Sequence, residues 1–302
     1  MTKRIVTHAS PDWDAITSVW LLKRFLPGWN EAAISYVPAG TAYQKTNPKE
    51  LTDPIEKIGE EEIIHVDTGL GPLDHHQTSD QNVCGASRSW DYVKTQIDRE
   101  KAQSEKWEFK EEAINRMVKI VVDTDHFKEV FWDNPTADYH EFSLLGLLDG
   151  MKLFKPNQDD YYTEFGMECL DAMLHNFENR LWAEKEIKEN GVIFETKWGK
   201  GIGFDTLNDD VLKLAQKMGY VIVVRKDPRK GYVRIKALPA TLDQKKSIDL
   251  TLAYEQLCKM DPSATWFLHV SKKMLLNGTT KNPKMIPSKL TLKEIVLVLE
   301  KI

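Results

Sequence analysis

The sequence predicts an α/β protein whose N-terminal part forms a mostly parallel sheet. Short runs of β-favouring residues alternate there with helical apolar patterns, which is typical of strands joined by crossover helices. Strands are predicted at residues 4–7, 33–37, 62–66 and 120–122, and helices from residue 15 and at about 87–100 and 110–117. A change of charge along the chain predicts that a second domain follows.

This change of charge lies in the last third of the chain. Residues 196–302 carry 20 of the 41 Lys and Arg residues but only 10 of the 46 Asp and Glu residues, a balance of +10 against −15 for the rest. An acidic part joined to a basic part is typical of two domains with different roles, although two solvated surfaces of opposite sign would give the same numbers.

We predict three segments from these patterns. They are a first domain at 1–150, a helical connector at 151–190, and a smaller, basic α/β domain at 191–302. Strands are predicted in the last segment at 192–196, 220–225, 232–236 and 265–270, and a helix at 290–299.

The composition excludes several classes of protein. A chain that is 41% hydrophobic and has 9 Trp is not disordered, and its apolar runs are only as long as strands, so no membrane partner is expected. The three scattered cysteines, Cys84, Cys169 and Cys258, argue against a disulfide scaffold. With no apolar leader at the N-terminus, we expect a cytoplasmic protein.

Acidic and histidine residues follow the predicted strands of the first domain. Since the carboxyl ends of parallel strands lie along one edge of a sheet, these residues should meet there. They are His8, Asp12, Asp14, Asp67, Asp74, His75, His76 and Asp123. Asp and His side chains together suit manganese or a related divalent cation, and such a group of carboxylates would repel itself without cations. The pattern predicts a site for two cations, with Mn²⁺ preferred and Mg²⁺ or Co²⁺ as alternatives.

Each of these residues alone has a simpler interpretation. Asp14 at the start of a helix could be an N-cap, and His8 after a strand could be a surface residue. His65 lies inside a strand and is interpreted as a packed core residue. Asp125 could take the role of Asp123, and the neighbouring histidine at 126 could also contact metal or substrate.

In order and spacing, these residues resemble the four motifs of the DHH phosphoesterase superfamily. The motifs are His8-Ala9-Ser10-Pro11-Asp12-Trp13-Asp14-Ala15, Asp67, Asp74-His75-His76 and Asp123-Thr124-Asp125-His126-Phe127. The resemblance covers about the first 130 residues. It implies a doubly wound, metal-binding catalytic domain at 1–150, a helical connector, and a smaller C-terminal substrate domain, with the active site in the cleft between the two domains.

The resemblance also implies a role for each motif residue. His8 and Asp12 would hold one metal, and Asp14, His75 and Asp123 would supply the remaining positions of the pair. Asp67 would bridge both metals, Asp74 would orient a ligand histidine, and His76 would face the substrate phosphate. Water activated by the two metals would be the nucleophile.

The C-terminal part lacks the Gly-Gly-His element of many members of the superfamily. Its segments 221–225 and 231–239, and the Asp74-His75-His76-Gln77 form of the third motif, are similar to the melanocyte-proliferating-gene exonuclease group. The candidate phosphate contacts in this part are Arg225, Arg234, Lys236, His269, Lys272, Lys273 and Lys281. A solvated basic face is the alternative interpretation of the same residues.

Three functions are compatible with the sequence. The favoured one is a manganese-dependent phosphodiesterase, an exonuclease acting on single-stranded nucleic acid or short oligonucleotides. The second is a manganese-dependent inorganic pyrophosphatase, since Ser271-Lys272-Lys273 is similar to the basic C-terminal signature of that branch. The third is a module that binds nucleotide or metal without turnover.

Overall fold

The computed structural model describes residues 1–98, 104–239, 247–279, 282 and 284–302. The chain divides into two compact units, Met1–Glu178 and Asn179–Ile302. The predicted α/β class is confirmed: there are two sheets, and nine α-helices lie in the described ranges. None of the helices in these ranges combines the length and apolar character needed to cross a bilayer.

The first unit contains a four-stranded, mostly parallel sheet. Its strands are β1 (Thr2–His8), β2 (Ala33–Val37), β3 (Ile55–Ile58) and β4 (Glu61–His65), in the order β2-β1-β4-β3. β1 is parallel to both β2 and β4, whereas β3 is an antiparallel edge strand that the sequence did not predict. The carboxyl ends of β1 and β4 therefore lie side by side.

The helices predicted from residue 15 and at about 87–100 and 110–117 are present with other bounds, and the third is longer than predicted. The helices of the first unit are α1 (Trp13–Phe25), α2 (Gly85–Gln96), α3 (Glu105–Asp125), α4 (Asp138–Glu141), α5 (Leu144–Phe154) and α6 (Asp159–Asn190). The end of α6 belongs to the second unit. Short 3-10 turns lie at Pro48–Glu50 and Lys128–Phe131.

Helix α1 is the central helix of the first unit. Its residues from Trp13 to Leu22 are all buried. At its end, the ring of Phe25 packs in a T-shaped arrangement with the rings of Trp20, Trp90 and Trp107, at centroid distances of 5.2, 6.0 and 6.3 Å. These aromatic contacts tie α1 to α2 and α3, which also carry site residues.

The strand predicted at 120–122 is wrong, because these residues belong to α3. The buried residues of this helix recur at helical spacing: Trp107, Ala113, Ile114, Met117, Val118, Val121 and Val122. A three-residue apolar run does not distinguish a buried strand from the buried face of a helix. This error bears on the candidate ligand Asp123, which the sequence placed directly after a strand.

The second unit contains a six-stranded sheet in the order β5-β6-β7-β8-β10-β9. The strands are β5 (Val192–Thr196), β6 (Gly199–Asp205), β7 (Ile222–Lys226), β8 (Val233–Ala237), β9 (Trp266–Leu268) and β10 (Met274–Asn277). Only β6 and β7 are parallel to each other, and all other neighbours are antiparallel. The helices are α7 (Asp210–Lys217), α8 (Thr251–Met260) and α9 (Leu292–Glu300).

Two strands of this sheet, β6 and β10, were not predicted. The sequence of β6, Gly-Lys-Gly-Ile-Gly-Phe-Asp, contains three glycines. Glycine normally weakens a strand, so this segment does not look like one. At Gly201 the reason is steric, since a Cβ atom there would lie within 2.4 Å of the Phe194 ring. The close approach of β5 to β6 therefore depends on a residue type that argues against a strand.

Candidate metal centre

The ends of β1 and β4 bring His8 and Asp67 together. Val6 pairs with His65 across these parallel strands, and the next backbone hydrogen bond runs from Val66 N to Val6 O at 2.9 Å. Asp67 is 2% exposed, and its Oδ2 atom lies 3.2 Å from His8 Nε2. Its φ angle of 51° is in the left-handed region, which Asp tolerates better than most residues.

The start of α1 contributes Asp12 and Asp14, in different ways. Asp12 is the N-cap of α1 and accepts a hydrogen bond from Ala15 N at 3.0 Å, while its other oxygen lies 3.6 Å from His8 Nε2. Asp14 lies in the first turn of α1, and its buried carboxylate accepts hydrogen bonds from the amides of Gly85 and Ala86, at 2.7 and 2.6 Å. Asp14 therefore does not cap its own helix but binds the N-terminus of α2, where backbone amides are free.

The N-terminus of α2 approaches this site so closely that only glycine fits at position 85. A Cβ atom there would lie 2.8 Å from Cβ of Asp67 and 3.0 Å from Oδ2 of Asp14. The absence of a side chain at Gly85 thus lets the N-terminus of α2 approach both carboxylates, and its amide donates to Asp14. The sequence did not predict a role for this glycine.

The turn after β4 supplies Asp74, His75 and His76. His75 Nε2 lies 3.4 Å from Asp67 Oδ1 and 3.6 Å from Asp14 Oδ2. Asp74 is fully buried, accepts from Leu70 N at 2.7 Å, and lies 2.7 Å from Nδ1 of His76. Asp74 therefore orients His76, whose side chain is 53% exposed, rather than His75.

The end of α3 contributes Asp125 instead of Asp123. Oδ2 of Asp125 lies 3.5 Å from His75 Nε2, whereas Asp123 lies 3.6 Å from the ammonium group of Lys128. Among the described residues, the groups with clustered ligand atoms are Asp67-His75-His76, His75-Asp125-His126 and His8-Asp12-Asp67. Asp123 belongs to none of them, because the helix turns it away from the residues that Asp125 meets.

Burial and mutual repulsion shape the charges of this cluster. The pKa of Asp14 is raised well above its usual range by burial and by the nearby carboxylates of Asp67 and Asp125. Burial also raises the pKa of Asp125. Burial would lower the pKa of His8, but hydrogen bonds to Asp12 and Asp67 outweigh it and raise this pKa to about 11. Bound protons thus reduce the repulsion between these carboxylates.

Several polar atoms at the centre of the cluster are buried without a hydrogen-bond partner in the described chain. They are Asp67 Oδ1, His75 Nε2 and Asp125 Oδ2. Such atoms cost free energy unless they are paired, and these are two carboxylate oxygens and an imidazole nitrogen, all metal-ligand types. The donor set therefore fits divalent cations. Asp67 faces both histidines, with Oδ2 towards His8 and Oδ1 towards His75.

Two further histidines lie nearby. His65 is buried, its Nε2 accepts from Tyr43 N at 3.0 Å, and burial lowers its pKa to about 4. This agrees with a packed, neutral core residue. His126 has its Nε2 2.9 Å from Val83 O and 3.8 Å from Asp125 Oδ2, so it borders the cluster.

A cavity of about 690 Å³ opens next to the cluster, within the first unit. Site residues on one side of it include Asp12, Asp14, His75 and Asp125, and the segment after α3 lines the other side with Phe127, Glu129 and Trp132, among others. No lysine or arginine is among the described residues that line it. The residues on this second side were not predicted from the sequence, because they follow no regular hydrophobic period.

The predicted phosphate contacts of the C-terminal part lie in the second unit. Arg225 is 5% exposed and lies 2.7 Å from Asp209, which also pairs with Arg234. Lys272 pairs with Asp249 at 3.0 Å, and Lys273 donates to Ser247 and to the carbonyl of Ile248.

The remaining candidates of this set differ in their surroundings. Nδ1 of His269 lies 2.8 Å from Ser271 Oγ. Lys236 belongs to β8, and Lys281 lies outside the described residues. The role of the whole set in binding substrate stays a prediction.

No family model and no curated protein matches the chain. One solved structure with which it was aligned is an uncharacterized protein from Helicobacter pylori G27, at 13% identity and a TM-score of 0.25, covering 99% of this chain and 98% of that one. Another is PggH, a pGpG-specific phosphodiesterase from Vibrio cholerae, at 14% identity and a TM-score of 0.24, covering 93% and 94%. At such TM-scores neither likeness carries an argument about the fold or function of this chain.

Proposed function

We propose that the protein is a metal-dependent phosphodiesterase that hydrolyses single-stranded nucleic acid or short oligonucleotides from one end. The observation that carries this proposal is the pair of ligand groups that share Asp67, with unpaired donor atoms at their centre. Two cations that share a carboxylate are a common arrangement for phosphoryl hydrolysis.

The residues of the cluster would divide between the two cations. His8, Asp12 and Asp67 would hold one cation. Asp67 would also serve the second cation with His75, whose Nε2 lies 3.6 Å from Asp14 and 3.5 Å from Asp125, so these two carboxylates would complete that site, with Asp125 in the role expected of Asp123. The mixture of carboxylate and imidazole ligands favours Mn²⁺. Bound cations would supply Lewis acidity that activates water and neutralises a phosphate.

His76 would contact the substrate phosphate directly. Its side chain is exposed and lines the cavity, and the buried carboxylate of Asp74 fixes the ring through Nδ1. Nδ1–H of the ring donates to the Asp74 carboxylate, so Nε2 stays free for a substrate contact and donates to a phosphate oxygen when it carries the second ring proton. The Asp74–His76 contact holds the ring in one orientation, as a carboxylate does for a metal-bound histidine.

The cavity favours a nucleotide ester over pyrophosphate. A volume of about 690 Å³ with aromatic side chains on one side exceeds the needs of a small inorganic anion. The described lining has no lysine or arginine to surround an anion of high charge. We therefore rank the pyrophosphatase second and assign additional phosphate contacts of a longer substrate to the basic residues of 191–302.

The test is mass spectrometry of the products formed with Mn²⁺ from a mixture of a short RNA, the matching DNA, a dinucleotide and pyrophosphate. Nucleoside monophosphates are the expected products, and Asp67→Ala should abolish them. Glu60→Ala, at an exposed carboxylate of the same unit, is the matched control and should keep the activity.

Other outcomes would contradict the proposal. Orthophosphate formed from pyrophosphate alone would make the protein a pyrophosphatase. Mn²⁺ binding without any product would make it a binding module.

A further inference from the structure

The peptide group between Ala9 and Ser10 contacts the metal centre on one side and a distant helix on the other. Its carbonyl oxygen lies 2.9 Å from Nδ1 of His8, and its amide donates to Oδ1 of Asp159 at 3.0 Å. Asp159 is the first residue of α6 and lies 149 positions after Ser10 in the chain. One peptide plane therefore joins a candidate metal ligand to a carboxylate outside the metal centre.

This peptide group determines which nitrogen of His8 is available to a cation. A carbonyl oxygen only accepts hydrogen bonds, so Nδ1 of His8 carries the proton that it donates to Ala9. The lone pair for a cation is then on Nε2, the atom that lies 3.2 Å from Asp67 and 3.6 Å from Asp12. Histidines that bind metal through one ring nitrogen commonly donate the other N–H to a carbonyl or carboxylate in this way.

The backbone at Ser10 does not favour this arrangement by itself. Ser10 has a φ of 53°, in the left-handed region that residues with a side chain seldom adopt. Pro11 follows it, and a residue before proline favours negative φ. Contacts from outside this loop are therefore needed to hold the peptide plane in its orientation.

Two residues from the α5 and α6 helices make such contacts. Asp159 binds the Ser10 amide, and Nζ of Lys152 donates to the Ser10 carbonyl at 3.1 Å. Of the two, only Asp159 binds the same peptide plane that His8 contacts. A carboxylate at the amide also polarises this peptide group, which strengthens the hydrogen bond from His8 Nδ1 to the carbonyl oxygen.

We propose that Asp159 is a positioning residue of the metal centre, which acts through the Ala9–Ser10 peptide to fix the ring orientation and the tautomer of His8. This inference rests on the metal centre of the proposed function but not on the substrate or on hydrolysis. It assigns a role in metal binding to the start of α6, a segment that the sequence placed in a helical connector.

The first test is the Mn²⁺ affinity of the full chain, measured by titration calorimetry. Asp159→Ala should weaken binding by about tenfold, the lower end of the range for outer partners of metal ligands. Asp159→Asn should bind Mn²⁺ nearly as well as the wild type, because its amide oxygen can still accept from the Ser10 amide.

The matched control is Asp160→Ala. Asp160 is the next residue in the first turn of α6, so this variant removes the same charge from the same helix terminus and should leave the affinity unchanged. An equal loss in Asp159→Ala and Asp160→Ala would indicate an effect of charge at the start of the helix and would overturn the assignment to Asp159.

A double-mutant cycle distinguishes the positioning of His8 from a general loosening of the first unit. In a His8→Gln background, Asp159→Ala should cause no further loss of Mn²⁺ affinity, since the residue that it positions is absent. In an Asp125→Asn background, the same substitution should still weaken binding by about tenfold. Equal losses in the two backgrounds would overturn the inference.

Metal binding separates the failure of this inference from the failure of the proposed function. Normal Mn²⁺ affinity in Asp159→Ala would overturn the inference and leave the phosphodiesterase in place. A loss that depends on His8 would support the inference even if the protein hydrolyses no phosphodiester. If the wild type bound no Mn²⁺, the inference and the proposed function would both be contradicted.

Discussion

Oδ2 of Asp125 lies 3.5 Å from Nε2 of His75, while Asp123, two residues earlier on the same helix, pairs with Lys128 at 3.6 Å. Residues two positions apart on an α-helix point about 200° away from each other. Only one of the two carboxylates can therefore face the cluster. Asp125 is the one that lies at the cluster, because residues 120–122 are part of a helix and not a strand that ends at the site. The metal-binding role of either carboxylate stays a prediction.

Asp125→Asn should weaken Mn²⁺ binding by at least about tenfold, since even partners of metal ligands change affinity by that amount. It should also raise the stability of the metal-free protein, because the raised pKa of Asp125 reflects burial and repulsion by Asp67. Titration calorimetry and thermal unfolding without metal check the two effects. Asp123→Asn is the control: it loses a half-exposed ion pair worth about 0.5 kcal/mol and should bind Mn²⁺ normally. The reverse ranking would restore Asp123 as the ligand.

Binding of Mn²⁺ should release protons and become tighter as the pH rises. His8 has a pKa raised to about 11, so its ring is protonated at neutral pH and must lose the proton before it can bind metal. The affinity should therefore increase from pH 6 to pH 9. Calorimetry in two buffers of different ionisation enthalpy measures the released protons, and His8→Gln should release one fewer. Affinity that is flat over this range would contradict the assignment of His8.

The strands β1 and β4 show what the sequence can predict of the site. Their apolar runs are flanked by clear turn signals, so both strands could be predicted. Because parallel strands end at the same edge of a sheet, the proximity of His8 and Asp67 could be predicted as well. The α/β class follows from the same alternation of elements.

The second side of the cavity shows where such prediction stops. Glu129 and Trp132 lie in a 3-10 turn and at its end, where no periodicity indicates which side chains face inward. The role of Gly85 could not be predicted from the sequence either, because it depends on the close approach to Asp67, 18 positions away in the sequence. Contacts of this kind depend on tertiary packing, which local patterns do not contain.

Gly85→Ala should destabilise the first unit and weaken its metal binding. The added methyl group would lie 2.8 Å from Cβ and 3.2 Å from Cα of Asp67, so the backbone would have to shift, and we expect a cost of about 1–3 kcal/mol. Gly150→Ala is the opposite control. A Cβ atom added at position 150, in α5, would have no neighbour within 4 Å, so this substitution should stabilise the helix by up to about 1 kcal/mol. Urea unfolding of both variants checks the signs, and equal effects would contradict the close packing at Gly85.

Asp261→Asn should destabilise the second unit and flatten its acid unfolding. The carboxylate accepts hydrogen bonds from Ser263 Oγ at 2.9 Å, Ser288 Oγ at 2.9 Å and Lys289 N at 2.8 Å. Burial would raise its pKa, but these hydrogen bonds outweigh it and lower the pKa from the usual 3.8. The unfolded chain then binds the proton more readily, so the stabilisation is complete above about pH 5 and disappears as the pH falls through the folded pKa.

The loss in Asp261→Asn at pH 7 should be about 1.5–3 kcal/mol, the range for hydrogen bonds to a charged group. Urea unfolding of the full chain between pH 3 and pH 7, followed by a probe in the second unit, measures it. Glu255→Gln, at an exposed position of α8, should leave both the stability and its pH dependence unchanged. If Asp261→Asn retained the full acid slope of the wild type, the carboxylate would not be the group that links the stability of this unit to pH.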